Sequence, residues 1–319
     1  MRYFLPLFLL IFIVFSCKKE NPNYVDVSNI EVKLTVNRFE KDFYESSLND
    51  LPKLKEKYPL FFPTAIHDSV WIQKKQNKDE LELYAETKKV YNDFSDVERD
   101  LISLFKHVRY YYPEFKVPLI TTVNSNIDYD YRIIYNPENL IISTDVYLGK
   151  GHKFYADYPF YIKENNTKEA IVVDVAKEIA NQLVPSNTDR TFLGKMIYEG
   201  KKQYLLDVFL PSATKKLKSG YTIEKLSWAE KNEEQVWRYF IEKKLLYSTA
   251  SELDSRFLNI APFSKFYLSL DNETPGQIGV WIGKQIVASF MEKNDVSLQS
   301  LLTMNAQKLL KESKYKPRD

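Results

Sequence analysis

The chain has 319 residues, of which 44% are hydrophobic and 15% aromatic, enough apolar surface to bury a large core and to exclude a globally disordered protein. Only 8 Gly and 14 Pro exclude collagen-like or linker-like architecture, and 45 Lys and Arg against 43 Asp and Glu leave a net charge of +2, no surplus with which to hold nucleic acid. A single Cys excludes a disulfide framework and a thiolate metal cluster, while His67, His107 and His152 are the only imidazoles.

Residues 1–16 carry one Arg near the start, an apolar run broken only by Pro6, and a small residue, Ser16, at the end. This is the pattern of a secretory signal peptide, and the run is too short to span a bilayer. It stops at Cys17, and the stretch Val14-Phe15-Ser16-Cys17 resembles the bacterial lipobox, in which cleavage before the Cys exposes its thiol to lipidation. Two or three acyl chains such as palmitate give stable anchoring without a transmembrane helix. Cys17 is therefore the expected lipidation site, and residues 17–29, polar and containing Pro22, are the expected tether. Lys18 stands where an Asp would signal inner-membrane retention, so the expected location is the outer membrane, facing the periplasm.

Residues 30–319 are expected to form one domain. Ile30–Phe39 alternates apolar and polar residues and predicts a strand. Helical spacing predicts a short helix over Asn49–Tyr58 and a helical pair over Lys78–Phe94 and Val97–Tyr111, closed by Pro113. Val117–Val123, Tyr131–Tyr135 and Leu140–Thr144, rich in Ile, Val, Thr and Tyr and separated by turn residues, predict a small sheet of mostly adjacent strands. From there the pattern is helical: Lys168–Leu183, Thr191–Leu210, Ile223–Lys231, Glu233–Leu246, Gln277–Lys293 and Ser297–Glu312. A few strands followed by packed helices predict an α+β, mostly helical fold.

The stretch that bears on chemistry is Lys177-Glu178-Ile179-Ala180-Asn181. Zinc peptidases with an H-E-x-x-H helix place two imidazoles one turn apart beside a general-base Glu. Here the Glu and the spacing remain, Lys177 and Asn181 stand at the His positions, and Glu199 lies where one class takes its third ligand from the next helix. The segment resembles a zincin-like, gluzincin-type scaffold that lacks its metal ligands, since an ammonium repels a divalent cation and Asn is a poor zinc ligand. The plainer reading is an amphipathic helix with a Glu and a Lys on its wet side. On the scaffold reading, Lys177, Glu178, Asn181 and Glu199 line a degenerate cleft, with Lys177 in salt-bridge reach of Glu199 or Glu178. Asp145, His152, Tyr155, Gly279 and Gly283 are further candidates for its lining, although the two glycines, one turn apart, also fit close helix packing.

Longer blocks carry a more specific resemblance: Leu104–Pro118, Thr144–Tyr155, Arg190–Pro211, Asn232–Thr249, Ala261–Met291 and Ser313–Pro317. Together with the lipobox they make the chain resemble the gliding-motility lipoprotein GldB family of gliding Bacteroidetes. That resemblance implies a lipid-anchored envelope protein required for gliding, distantly similar to predicted zinc peptidases. With both imidazoles missing and Lys177 at the first ligand position, the expectation is a non-catalytic binding or structural role with no metal or cofactor, and gliding-machinery or other envelope proteins as partners. The alternatives are an active metallopeptidase or other hydrolase drawing ligands from Glu178, Glu199, Asp145 and His152, and a glycan-binding lipoprotein that uses its aromatic residues as stacking platforms.

Overall fold

The computed structural model describes residues 24–317, so the signal peptide, Cys17 and the first half of the tether lie outside the described residues. The first strand, β1 (Val36–Arg38), is shorter than the alternating pattern predicts. Val32 and Leu34 do pack on the core, as their periodicity requires, but only three residues find ladder partners. At Phe39 the chain turns into α1 (Phe39–Glu45), followed by α2 (Leu51–Lys57), α3 (Asp68–Gln76), α4 (Lys78–Tyr91) and α5 (Ser95–Tyr111). In α5, Val97, Leu101, Leu104, Phe105 and Val108 fall on one stripe and are all buried, the spacing of a helix with one core face.

After α5 come β2 (Leu119–Val123), β3 (Ile133–Tyr135) and β4 (Asn139–Ser143). The sheet order is β1-β2-β4-β3, with β2 parallel to both β1 and β4 and β3 antiparallel to β4. The hairpin β3–β4 thus places its second strand inward and leaves β3 at the edge. The α+β, mostly helical class is as expected, although five helices separate β1 from the strands it joins. Three short helices were not predicted before residue 168: α1, α3 and α6 (Phe160–Lys163).

The second half packs α7 (Ala170–Leu183), α8 (Phe192–Phe209), α9 (Lys215–Ser219), α10 (Ile223–Lys231), α11 (Glu233–Glu242), α12 (Glu252–Phe257) and α13 (Ile278–Lys293), and ends in α14 (Leu298–Thr303) and α15 (Ala306–Ser313). The single helix predicted for Ser297–Glu312 is broken at Met304, where the backbone is extended and the Asn305 side chain caps α15 through the Lys308 N–H. Lys201 of α8, buried, donates to the carbonyls of Leu302 (2.9 Å) and Met304 (2.7 Å) and so satisfies groups at the break.

Most buried side chains form one large core, while Phe43, Leu51, Leu54, Tyr58 and Phe62 make a second, aromatic cluster among the first helices. Helices α8 and α13 approach each other closely. A Cβ on Gly200 would meet the backbone of Gly283, and one on Gly283 would meet the Met196 carbonyl. Gly279 faces Leu258, Phe192 and the Phe257 carbonyl in the same way. Gly279 and Gly283 therefore serve close helix packing and do not line a cleft.

Candidate functional site

The first two turns of α7 are almost wholly apolar, with Ala170–Val173, Val175 and Ala176 buried, and Asp174 is embedded among them. A buried carboxylate needs partners, because desolvation disfavours its charged form. Three elements supply them. Lys177 Nζ, one turn on, lies 2.9 Å from Asp174 Oδ1. Arg132, just ahead of β3, brings its Nε to 3.0 Å from Oδ2, and the Tyr147 hydroxyl donates to the same oxygen at 3.0 Å. Burial pushes the Asp174 pKa up, but the charges of Lys177 and Arg132 and the hydrogen bonds outweigh it and hold the carboxyl below its ordinary value. The Arg132 guanidinium also stacks on the Tyr129 ring, 4.1 Å from its centroid.

This arrangement corrects the expected pairing. The Lys177 ammonium is taken by Asp174, and Glu199 pairs with Lys202 on its own helix at 2.9 Å. Each cation has gone to the carboxylate three residues away, the shortest helical reach, so neither needed the other. Glu178 is partly buried and Asn181 is exposed.

Asp145 and Tyr155 come together, but inside the core. The Asp145 carboxylate is fully buried and accepts from the Ser125 N–H (3.0 Å), the Ser125 hydroxyl (3.3 Å) and the Ile127 N–H (2.6 Å). Burial raises its pKa to about 6 against those stabilising hydrogen bonds. The loop it holds contains Asn126 and Ile127, both at positive φ, a conformation that side chains with a Cβ resist. The Tyr155 hydroxyl donates to the Asp145 carbonyl (2.6 Å), and the Tyr158 hydroxyl donates to the Ile127 carbonyl. His152 accepts from the Phe154 N–H as a cap and faces Glu86 at 3.6 Å. Asp145, Tyr155 and His152 are thus committed to structure rather than to a shared cleft. Among the described residues no three His, Cys, Asp or Glu side chains are gathered so as to hold a metal, which removes Glu178, Glu199, Asp145 and His152 as a ligand set.

The surface next to this framework carries a depression of about 220 Å³ lined by Asp128, Tyr129, Asp130, Tyr158, Pro159 and Ile162. Its aromatic wall leads inward through Tyr129 and Arg132 to Asp174, and the Asp145 nest fixes the loop from which Asp128 comes. A larger depression of about 370 Å³ lies among Lys41, Asp42, Glu45, Asp50, Lys53 and Lys57 near the second cluster. Neither is lined by Lys177, Glu178, Asn181 or Glu199. The residues missed from sequence are Arg132, Tyr147 and Asp174. A usable signal was present for Asp174, the one charge in the run Ala170–Ala176.

The family model described as gliding motility protein GldB matches residues 20–317. The chain belongs to this family. Membership ties the protein to gliding motility, and the family designation, a lipoprotein, agrees with membrane anchoring. No curated protein and no solved structure matches the chain, so the likeness to zinc peptidases has no support from relatives. Among the described residues no helix is long and apolar enough to cross a membrane.

Proposed function

We propose that the protein is a lipid-anchored component of the cell envelope, held by acylated Cys17 on the periplasmic face of the outer membrane, that acts in gliding by binding other envelope or gliding-machinery proteins without catalysing a reaction. The observation that carries this reading is the family match over residues 20–317. Its chemical support is that the polar groups expected to do chemistry are engaged elsewhere: Lys177 with Asp174, Glu199 with Lys202, and Asp145 with the 125–127 loop. Anchoring through Cys17 follows from the apolar run that ends at that residue and the polar stretch after it. The test is Cys17→Ser in gliding cells. It should accumulate as uncleaved precursor, leave the membrane-anchored fraction and abolish spreading, whereas normal processing and gliding refute the reading.

A further inference from the structure

Tyr267, Leu268 and Leu270 are 70%, 63% and 59% exposed, three large apolar side chains within four residues of a loop between α12 and α13. Scattered exposed apolar residues are ordinary; a run of them on one loop tip is not. The loop is also rigidly built. The Tyr267 N–H donates to Asp271 Oδ2 at 2.8 Å, the Asp271 N–H to the Leu268 carbonyl at 3.2 Å, and the Glu273 N–H to the Leu270 carbonyl at 3.0 Å. Lys225 Nζ reaches in from α10 to the carbonyls of Asn272 (2.6 Å) and Thr274 (2.7 Å). Tyr267 sits at φ 63°, and the Arg256 guanidinium backs its ring at 4.5 Å. The fold therefore holds a strained tyrosine in place and spends internal hydrogen bonds to show an apolar tip to the outside.

We propose that this tip contacts the surface of the bilayer to which the chain is anchored. The inference rests on the anchoring through Cys17. From Cys17 to Val32, the first residue packed on the core, is 15 residues, which span at most about 50 Å. The folded body is thus confined near the membrane and can lay one face against it. Two features select lipid rather than a protein partner. Residues 267–270 carry no charge, and the nearest carboxylate, Asp271, is turned inward onto the Tyr267 N–H. Several of the loop's backbone groups are already paired within the protein, as a lipid environment demands, whereas a protein partner could supply such bonds itself. Tyrosine beside leucines is also the composition favoured at the membrane–water boundary.

The experiment uses the acylated full chain, in which Cys17 is blocked, reconstituted into vesicles of phosphatidylethanolamine and phosphatidylglycerol. Leu268→Cys and Leu270→Cys are each spin-labelled, with Lys53→Cys, whose side chain is 84% exposed, as the control. Collision with oxygen relative to a water-soluble nickel chelate should rise several-fold at 268 and 270 and stay unchanged at 53. Flotation with the vesicles reports anchoring separately. A protein that floats with labels at 268 and 270 as water-exposed as the control overturns the loop contact alone, and a protein that does not float overturns the anchor and the contact together.

Discussion

Replacing Asp174 with Asn is the sharpest test of the polar framework in α7. The carboxylate faces Lys177 at 2.9 Å and Arg132 at 3.0 Å. At an effective dielectric of about 20, each pair attracts by roughly 5 kcal/mol before desolvation is counted. Desolvation offsets much of that, so the measurable quantity is the cost of leaving the cations without their anion. Arg132 is only 20% exposed and cannot rehydrate freely, which puts the loss at about 3–5 kcal/mol. Lys177 is 33% exposed and can turn to water, so Lys177→Met should cost less than about 1 kcal/mol. Urea unfolding at neutral pH reads both, and with a slope of about 3 kcal/mol per molar Asp174→Asn should lower the midpoint by 1 M or more. Replacing Arg132 and Asp174 together with Met and Leu should cost less than Asp174→Asn alone. Because the folded pKa of Asp174 lies below its ordinary value, its contribution is complete above the unfolded pKa near 4 and is lost as pH falls through the folded value. An Asp174→Asn stability within about 0.5 kcal/mol of wild type, or a Lys177→Met loss as large as that of Asp174→Asn, refutes the reasoning.

Asp145 has the opposite sign: its folded pKa is raised to about 6, so its contribution is fullest below about pH 4 and is lost as pH rises through about 6. Asp145→Asn should therefore flatten the fall in stability between pH 4 and 6, measured by unfolding at a series of pH values. Gly283→Ala pushes a methyl into the Met196 carbonyl and should destabilise by about 1–3 kcal/mol in thermal unfolding, with Gly200→Ala similar and the exposed Gly151 tolerant. Purified mature protein should contain no stoichiometric zinc by elemental analysis, and one tightly held zinc per chain would overturn the non-catalytic reading.

Most long elements were legible because their signal is local. The stripe in α5 and the β-branched runs of β2 and β4 declare themselves within a single stretch. The break at Met304 was not legible, because its compensation comes from Lys201, about a hundred residues earlier. The start of β1 was equally hidden, since alternation begins at Ile30 while its ladder begins only at Val36, where β2 lies alongside. At the site, the spacing from Lys177 to Glu199 suggested a meeting that their own i+3 neighbours pre-empted. Arg132 could not be assigned to Asp174 from sequence because their contact depends on β3 being the outer strand of its hairpin.

Strand β1 is the first paired element after the tether, and that gives the sheet a mechanical role. If a membrane anchor is dragged while the body is held, tension enters the fold at residues 31–38. It first meets the bond from Arg109 Nη1 to the Glu31 carbonyl (2.6 Å) and then the parallel ladder of Val36–Arg38 on Ile120–Thr122. A pull along a strand loads its ladder bonds together rather than one after another. Behind them Arg38 acts as a stop, bonded to Glu40 (2.7 Å), Thr122 (3.1 Å) and the Tyr91 carbonyl (2.9 Å), and stacked on Phe94. Force from the anchor is thereby delivered to α4 and the centre of the sheet before any helix of the second half is strained.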